Sequence, residues 1–364
     1  MTDVIIVGGG VSGLLCARFL VEAGRRVLLL EKGRELGRES SWAGGGIVSP
    51  LYPWRYPDEI SLLARYGQRH YPALIQALLA ETGVDAELLP SGLLVLDEPE
   101  LGMESWAEKW DARIELLADR DTLEEVQVGL GACYQKGIWM PDIQQLRNPR
   151  LMRALALGAT NDPRVTVKRG VSVLEVRMEA GRVQGVETTQ GCFDSETVLL
   201  SAGAWSSQLL PSVAVPALDV YPVKGQMILF QARPGMLQRM VMHEGRYLIP
   251  RKDGVILAGS TLEYVGFEKE VTTDARDSLK QFAVEVVPGL KQAEIIAQWA
   301  GLRPGSPDGV PTVGEYEGIH GLFVNAGHFR NGIVIGLASA RMVTDLMLGV
   351  ESVINPEPYE PRHH

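Results

Sequence analysis

The first 31 residues alternate between short apolar runs and one stretch of helical composition. Val4 to Val7 form a continuous apolar run, which is typical of a strand buried on both faces of a parallel sheet. Leu14 to Glu22 has helical composition, and Gly24 after it is well suited to end a helix. Arg26 to Leu30 predicts a second buried strand, which ends at Glu31. The chain therefore opens as strand, glycine turn, helix and strand.

The rest of the chain has a different pattern until its last part returns to the first one. The 37–50 segment is rich in Gly and Ser and predicts a loop, while 58–82 and 273–286 predict helices. Short β-rich runs punctuated by glycine lie at 165–167, 171–178, 182–188, 197–201, 226–231, 246–250 and 255–259.

The tail repeats the opening order, with an apolar run at 322–325, a glycine-containing turn at 327–332 and a helix through Leu348. No flexible linker or repeat separates two halves. We therefore expect interleaved domains, between which the chain crosses more than once.

Composition limits the classes of function. The chain has 364 residues, of which 46% are hydrophobic and 22% charged, as expected for a globular protein of about two domains. A net charge of −10 argues against a nucleic-acid partner, because a polyanion needs a basic surface. The three cysteines, Cys16, Cys133 and Cys192, form no CxxC pair, which favours reduced thiols in the cytoplasm. No secretory leader, membrane span or metal-ligand cluster is predicted.

The opening turn fits the pattern G-x-G-x-x-G with Gly8, Gly10 and Gly13. The first glycine permits the tight turn, the second lets backbone N–H groups approach a pyrophosphate, and the third allows close packing of helix on strand. Glu31 stands at the end of the second strand, where an acid accepts a hydrogen bond from a ribose hydroxyl and disfavours a 2′-phosphate. Such glycines alone also occur in ordinary turns, but the strand, the helix and the acid together predict an adenine dinucleotide site.

The segment after the second strand favours FAD over NAD. An NAD domain normally continues with alternating strands and helices, whereas the 38–46 loop here exposes backbone able to surround a flat ring. Near the other end, residues 325–333 form a second turn before a helix. Two such turns suit an extended ligand like FAD, and an NAD dehydrogenase remains the alternative.

Several separate stretches resemble the FAD-dependent amino-acid oxidoreductases. These are the opening fingerprint, Leu199 to Ser206, Gly259 to Thr261 with Glu263 and Gly266-Phe267, Gly301 to Pro304, and Gly327 to Gly332. The family includes D-amino-acid oxidase, sarcosine oxidase, D-amino-acid dehydrogenase and the glycine oxidase of thiamine biosynthesis, to which the chain is most similar.

The resemblance implies an α/β fold with a doubly wound, Rossmann-like FAD-binding domain and an interleaved α+β substrate domain on an antiparallel sheet. We expect residues 1–83, 141–215 and 301–364 in the FAD-binding domain and 84–140 and 216–300 in the substrate-binding domain. FAD should be non-covalent, because sarcosine oxidases attach it through a C-terminal cysteine and no cysteine follows Cys192.

The resemblance also assigns residues to the cofactor. The ADP part is expected at the opening turn and strand end, the adenine at the backbone of Val173, and the flavin at the two glycine-containing segments. The full set expected to bind FAD is Gly8, Gly10, Val11, Gly13, Glu31, Lys32, Ser40, Ser41, Ala43, Gly44, Gly45, Gly46, Val173, Ser201, Ala202, Gly203, Trp205, His328, Arg330, Asn331, Gly332 and Ile333.

A substrate carboxylate in a desolvated pocket calls for a bidentate guanidinium. Arg303 matches the arginine of the family's Gly-x-Arg-Pro stretch, and Tyr247 matches a tyrosine whose hydroxyl holds the same carboxylate. Arg330, Leu262 and His243 are further candidates for the substrate side. Each also has a plain structural interpretation, as a surface arginine, a sheet tyrosine, a core leucine or a hydrogen-bonded histidine. No residue is predicted as a catalytic acid or base, because the flavin itself accepts the hydride.

The resemblance implies an oxidase that acts on glycine, sarcosine and small D-amino acids and returns electrons to O2, yielding imine, then glyoxylate and ammonia, and hydrogen peroxide. Its imine would serve thiazole synthesis in thiamine biosynthesis. One alternative is a D-amino-acid or N-methylamino-acid dehydrogenase that reduces a quinone. A non-catalytic flavin-binding module is the other. We expect a cytoplasmic homo-oligomer.

Overall fold

The computed structural model describes residues 2–210 and 218–361. Within these ranges the strands form three sheets, of six, eight and three strands. The strands are β1 (Val4–Val7), β2 (Val27–Glu31), β3 (Leu93–Val95), β4 (Glu115–Leu117), β5 (Gly137–Met140), β6 (Val165–Arg169), β7 (Val173–Glu179), β8 (Arg182–Thr188), β9 (Gly191–Asp194), β10 (Val198–Leu200), β11 (Tyr221–Gln231), β12 (Met240–His243), β13 (Arg246–Pro250), β14 (Val255–Gly259), β15 (Glu294–Gly305), β16 (Thr312–Glu315) and β17 (Leu322–Ala326).

The helices connect these strands and cover the sheets. They are α1 (Val11–Glu22), α2 (Ser40–Ala43), α3 (Asp58–Thr82), α4 (Met103–Lys109), α5 (Arg120–Val126), α6 (Asn148–Asn161), α7 (Thr273–Val286) and α8 (Gly332–Leu348). Short 3-10 turns lie at Pro53–Arg55, Gly203–Leu209, Pro288–Gln292, Pro307–Gly309 and Glu357–Tyr359. The segment predicted as a loop over 37–50 contains the single turn α2. Its last amides, those of Trp42 and Ala43, donate to the Glu39 carbonyl.

The six-stranded sheet has the order β16-β17-β10-β1-β2-β6, and all its pairs are parallel except β16 with β17. Alternate residues of β1 face opposite ways. Val4 and Ile6 pack against the helices, in a core that includes residues of α1, α3, α6 and α8. Ile5 and Val7 pack against the three-stranded sheet β7-β8-β9. Burial on both faces explains why β1 is continuously apolar.

The eight-stranded sheet has the order β15-β11-β14-β13-β12-β3-β5-β4 and is antiparallel except where β12 pairs with β3. Helix α7 packs on one face through Leu279, Phe282 and Ala283. The long pair β11 and β15 runs from Tyr221 opposite Gly305 to Gln231 opposite Glu294.

The α/β fold class predicted from the sequence is confirmed, with mixed sheets. The strands of the eight-stranded sheet come from residues 93–140 and 221–305, and those of the other two sheets from 4–31, 165–200 and 312–326. The proposed domain boundaries remain a prediction. Among the described residues, no helix is both long and apolar enough to cross a bilayer.

Candidate active site

A cavity of about 440 Å³ runs from the ends of β1, β2 and β10 to the paired strands β11 and β15. Its lining includes residues of both the six-stranded and the eight-stranded sheet. The carboxyl ends of parallel strands are where ligands bind in open α/β sheets. This central cavity is therefore the candidate active site.

The turn after β1 is shaped by close backbone approaches. Gly8 has φ +109°, and a Cβ there would lie 2.4 Å from the Ser201 carbonyl oxygen. A Cβ on Gly13 would lie 2.0 Å from the carbonyl oxygen of Gly8, so α1 can pack on the turn only through a glycine. Gly8 and Gly10 line the cavity, whereas Gly13 lies behind them and sets the helix position. The turn thus presents backbone and the start of α1 to the cavity, an arrangement that suits a phosphate.

The strand-end acid organises the same turn. The Glu31 carboxylate is buried and accepts hydrogen bonds from the amides of Gly9, at 2.9 Å, and Gly33, at 2.6 Å. The neighbouring Lys32 ammonium lies over the Trp205 ring, and burial lowers the pKa of Lys32. All three side chains line the cavity. A cation and an indole beside a phosphate-sized turn fit the nucleotide end of a dinucleotide.

The 40–46 segment forms another part of the lining and is held from several directions. Asn148 Nδ2 donates to the Ser41 carbonyl at 2.8 Å, and Trp299 Nε1 donates to that of Ala43 at 3.1 Å. Arg251 donates to the Gly45 carbonyl at 2.7 Å, and burial lowers the pKa of this guanidinium to about 10. The segment, which was predicted as a loop, therefore presents a backbone surface that is held in place by these hydrogen bonds.

The closing turn, which comprises residues 325–333 before α8, forms a further part of the cavity lining. The Phe329 amide donates to the Pro304 carbonyl at 2.8 Å, and the Asn331 amide donates to that of His328 at 3.0 Å. His328 is buried, its Nε2 lies 2.7 Å from Ser339 Oγ, and burial lowers its pKa to about 4. The imidazole is therefore neutral at ordinary pH, and it lines the cavity as an uncharged group held by Ser339.

Arg303 occupies the end of the cavity near the eight-stranded sheet. Its Nη1 donates to the Thr261 carbonyl at 3.2 Å and its Nη2 to Ser260 Oγ at 2.6 Å. The guanidinium lies against Gly225, where a Cβ would come within 2.2 Å of Nη1. Burial lowers the pKa of Arg303, an effect that the Tyr247 hydroxyl partly offsets. An ordinary guanidinium pKa lies so far above neutrality that Arg303 stays a cation.

Tyr247 and Arg330 complete this end of the cavity. Tyr247 is buried, and its ring edge lies close to both Gly45 and Gly259, where a Cβ would approach it to within 2.9 and 3.0 Å. Arg330 donates from Nη2 to the Gly245 carbonyl at 2.9 Å. The structure thus brings together two guanidinium groups and a phenol, a set suited to a carboxylate.

Two predicted substrate residues lie elsewhere. His243 is absent from the cavity lining, and its Nδ1 lies 2.8 Å from Asp97 Oδ1, because β12 directs it away from the cavity. Leu262 does not line the cavity either, and 45% of its surface is exposed. Of the residues predicted for the cofactor, all except Gly13 line the cavity.

Sequence reasoning missed several lining residues, among them Asn148, Met227, Ser260 and Phe329. Ser260 stands within one of the stretches that resemble the family, and Phe329 within the closing turn. Asn148 at the start of α6 carries no local signal. Among the described residues, no group of three or more acidic, histidine or cysteine side chains could hold a metal.

Comparison with known proteins agrees with this geometry. The family described as FAD dependent oxidoreductase (DAO) matches residues 3–346. A glycine oxidase of Pseudomonas aeruginosa is 46% identical over 98% of this chain and 98% of its own length. The bifunctional protein ThiO/ThiG of Synechocystis is 32% identical over 95% of this chain and 52% of its own length. The crystal structure of glycine oxidase from Geobacillus kaustophilus superposes with a TM-score of 0.93 at 30% identity, covering 100% of this chain and 98% of that one.

Proposed function

Because this chain belongs to the FAD dependent oxidoreductase family (DAO), we propose that it is an FAD-dependent amine oxidase whose substrate is glycine, with sarcosine and small D-amino acids as further substrates. The chain is an enzyme that acts on the CH–NH2 group of amino acids. Its 46% identity to a glycine oxidase over nearly the full length of both proteins carries the choice of glycine.

The residues of the central cavity fit FAD. The opening turn leaves no room for a Cβ at Gly8 or Gly13, so its backbone can approach a pyrophosphate. Glu31 and Val173 line the same end, where the ribose and adenine would lie. The 40–46 segment and the closing turn offer backbone for the flavin ring. FAD is bound without a covalent bond in this proposal, since no cysteine follows Cys192 in the chain.

In the reaction, the protein mainly binds and orients the amino acid. Bound FAD supplies the acceptor for the hydride that leaves the substrate α-carbon, and O2 takes the electrons onward to give hydrogen peroxide. Arg303 pairs with the substrate carboxylate, and the Tyr247 hydroxyl donates to the same group. Arg330 adds positive charge beside it. The product imine hydrolyses to glyoxylate and ammonia.

Exclusion of water strengthens this pairing. Tyr247, Met227 and Ser260 are buried at the end of the cavity that contains Arg303, which is the substrate end in this proposal. A carboxylate bound there loses most of its hydration, and the charge of Arg303 compensates for that loss. No described side chain is assigned as the base. The substrate amine gives up its proton before hydride departure, to solvent or to a group that the proposal leaves unassigned.

The proposal also places the chain in a cell. Similarity to the ThiO/ThiG protein supports a role in which the imine feeds thiazole synthesis for thiamine. A cytoplasmic location and a homo-oligomeric state belong to the same proposal, based on three cysteines without a CxxC pair and on the family resemblance.

Anaerobic titration tests the function most directly. Glycine added without O2 should bleach the yellow flavin, and admitted air should restore the colour with release of peroxide. Sarcosine and D-alanine, run in parallel, rank the substrates. A dehydrogenase would bleach but recover only with an artificial quinone, and a non-catalytic flavin-binding module would not bleach at all. A colourless protein that refuses flavin would contradict the whole proposal.

A further inference from the structure

Lys224 is a buried lysine of β11, the strand that borders the substrate end of the cavity. Lysine is almost never fully buried unless it is paired, yet only 1% of this side chain is exposed. Its ammonium lies 3.3 Å from Glu263 Oε2 and 3.7 Å from Glu268 Oε1. Because side chains alternate along a strand, Lys224 points away from the face on which Gly225 meets Arg303. Lys224 therefore lies outside the cavity, on the opposite face of the sheet from Gly225.

Glu263 links Lys224 to the segment that holds Arg303. Lys224 and Glu263 exchange both backbone hydrogen bonds, each at 2.9 Å. The Glu263 carboxylate also accepts from the Thr261 hydroxyl and, at 2.9 Å, from Gln226 Nε2. Burial alone would raise the pKa of Glu263, but the bonds from Thr261, Gln226 and Lys224 hold it below its ordinary value. The carboxylate is thus ionised and fixed in place.

The segment that contains Ser260 and Thr261 holds the Arg303 guanidinium in position. The Thr261 hydroxyl oxygen also accepts a hydrogen bond from the backbone N–H of Gln226, at 2.8 Å. Its carbonyl and the neighbouring Ser260 hydroxyl are the two groups to which Arg303 donates. Lys224, Glu263, Thr261 and Arg303 therefore form one continuous chain of polar contacts from the back of the sheet to the cavity.

We propose that Lys224 is a positioning residue for substrate binding: its ammonium holds Glu263, which fixes Ser260 and Thr261 and so aims the Arg303 guanidinium at the substrate carboxylate. This inference rests on the proposed function, in which Arg303 takes that carboxylate. Lys224 itself touches neither substrate nor cofactor.

Lys224→Met, in the FAD-loaded enzyme, tests the proposal because it keeps the bulk of the stem and removes the charge. We expect the KM for glycine to rise about tenfold or more, equivalent to about 1.4 kcal/mol, with kcat little changed. The dissociation constant of acetate, which has the carboxylate but no amine, should rise by the same factor in a titration followed by the flavin spectrum. Lys224→Arg should recover most of the affinity.

Two further variants guard against a loss of folding. Glu263→Gln keeps the shape of the side chain and should also raise the KM. The double variant should be less impaired than Lys224→Met alone, because position 263 then carries no uncompensated charge, whereas the Glu268 carboxylate is exposed and solvated. Lys280→Met, at an exposed lysine of α7, is the matched control and should leave both constants unchanged.

The outcomes separate the two proposals. If the wild-type enzyme neither oxidises glycine nor binds acetate, the proposed function fails. If the wild type does both while Lys224→Met, or Glu263→Gln where Lys224→Met does not fold, keeps the wild-type KM and acetate affinity, the positioning role is overturned. A fall in kcat and in FAD content that accompanies the rise in KM would also overturn it, because such a combination would indicate a general disruption of the enzyme.

Discussion

At the scale of single residues, Arg303 is the group on which substrate affinity is expected to depend most. Removing one partner of a buried charge pair costs about 3–5 kcal/mol. Arg303→Ala should therefore raise the KM for glycine at least about a hundredfold. FAD content should stay the same, because the guanidinium donates to Ser260 and Thr261 and holds none of the nucleotide-end backbone. Arg276→Ala, at an exposed site of α7, is the control, and an unchanged KM in Arg303→Ala would remove this residue from the site.

His328 offers a test by pH. Its ordinary pKa of 6.5 is lowered to about 4 by burial, so between these values the unfolded chain binds more protons than the folded one. The free energy of unfolding must therefore fall as pH drops through this range. We expect His328 to account for a loss of about 1 kcal/mol between pH 7.5 and 5.5. Denaturant unfolding of wild type and His328→Gln at both pH values checks this, and an equal pH dependence in the two would contradict it.

The residues that could be predicted are those with a local signal. Gly8, Gly13 and Glu31 stand at fixed offsets from one strand and one helix, so the sequence alone indicated their place. Arg251 could not be found in this way, since it reaches Gly45 across 206 positions of sequence. Leu262 was chosen by resemblance and His243 as a lone histidine that could contact the site. Neither residue lines the cavity.

At the scale of secondary-structure elements, the contact of α1 with the opening turn depends on the absence of a side chain. Gly13→Ala would force a Cβ to within 2.0 Å of the Gly8 carbonyl oxygen, so helix and turn must separate. We expect a lower melting temperature and a large rise in the dissociation constant of FAD, measured by flavin fluorescence.

Gly158→Ala in α6 is the matched control for that substitution. A Cβ there has no neighbour nearer than 3.8 Å, and alanine favours a helix by about 1 kcal/mol over glycine. This variant should bind FAD like the wild type and melt at the same temperature or higher. Similar losses in the two variants would show that helix composition, and not the close approach, is responsible.

Element prediction succeeded where the pattern was regular. The runs at β1 and β2 and the helices α3 and α7 were expected within a few residues of their observed bounds. Helix α6 was missed, although Pro149 in its first turn stands where proline is favoured in helices. The three-stranded sheet was expected only as separate β-rich runs, since its docking on Ile5 and Val7 depends on tertiary contacts.

At the scale of the whole molecule, FAD should act as a structural component. A ligand that binds only the folded state adds about 2.7 kcal/mol of stability at a hundred times its dissociation constant. Thermal unfolding with increasing FAD should therefore shift to higher temperature. Riboflavin, which lacks the ADP part and cannot engage the opening turn, should produce a smaller shift. Equal shifts with both compounds would contradict the assignment of that turn.

The arrangement of the two large sheets was expected from the family resemblance and not from periodicity. Strand order in the six-stranded sheet joins β10 to β1 on one side and β17 on the other, although about 190 and 120 residues separate them. Pairings of this range depend on the packing of the complete chain. A single sequence carries no local mark of them.

The same strand order has a consequence for biosynthesis. β17 and α8 are translated after the strands and helices that they contact: β17 pairs with β10, and α8 packs in one core with α1. A nascent chain on the ribosome therefore keeps one edge of β10 unpaired and one side of α1 uncovered until β17 and α8 have been translated. The central cavity takes part of its lining from residues 325–333 between these two elements, so its wall is incomplete until this part of the chain has been made and has folded.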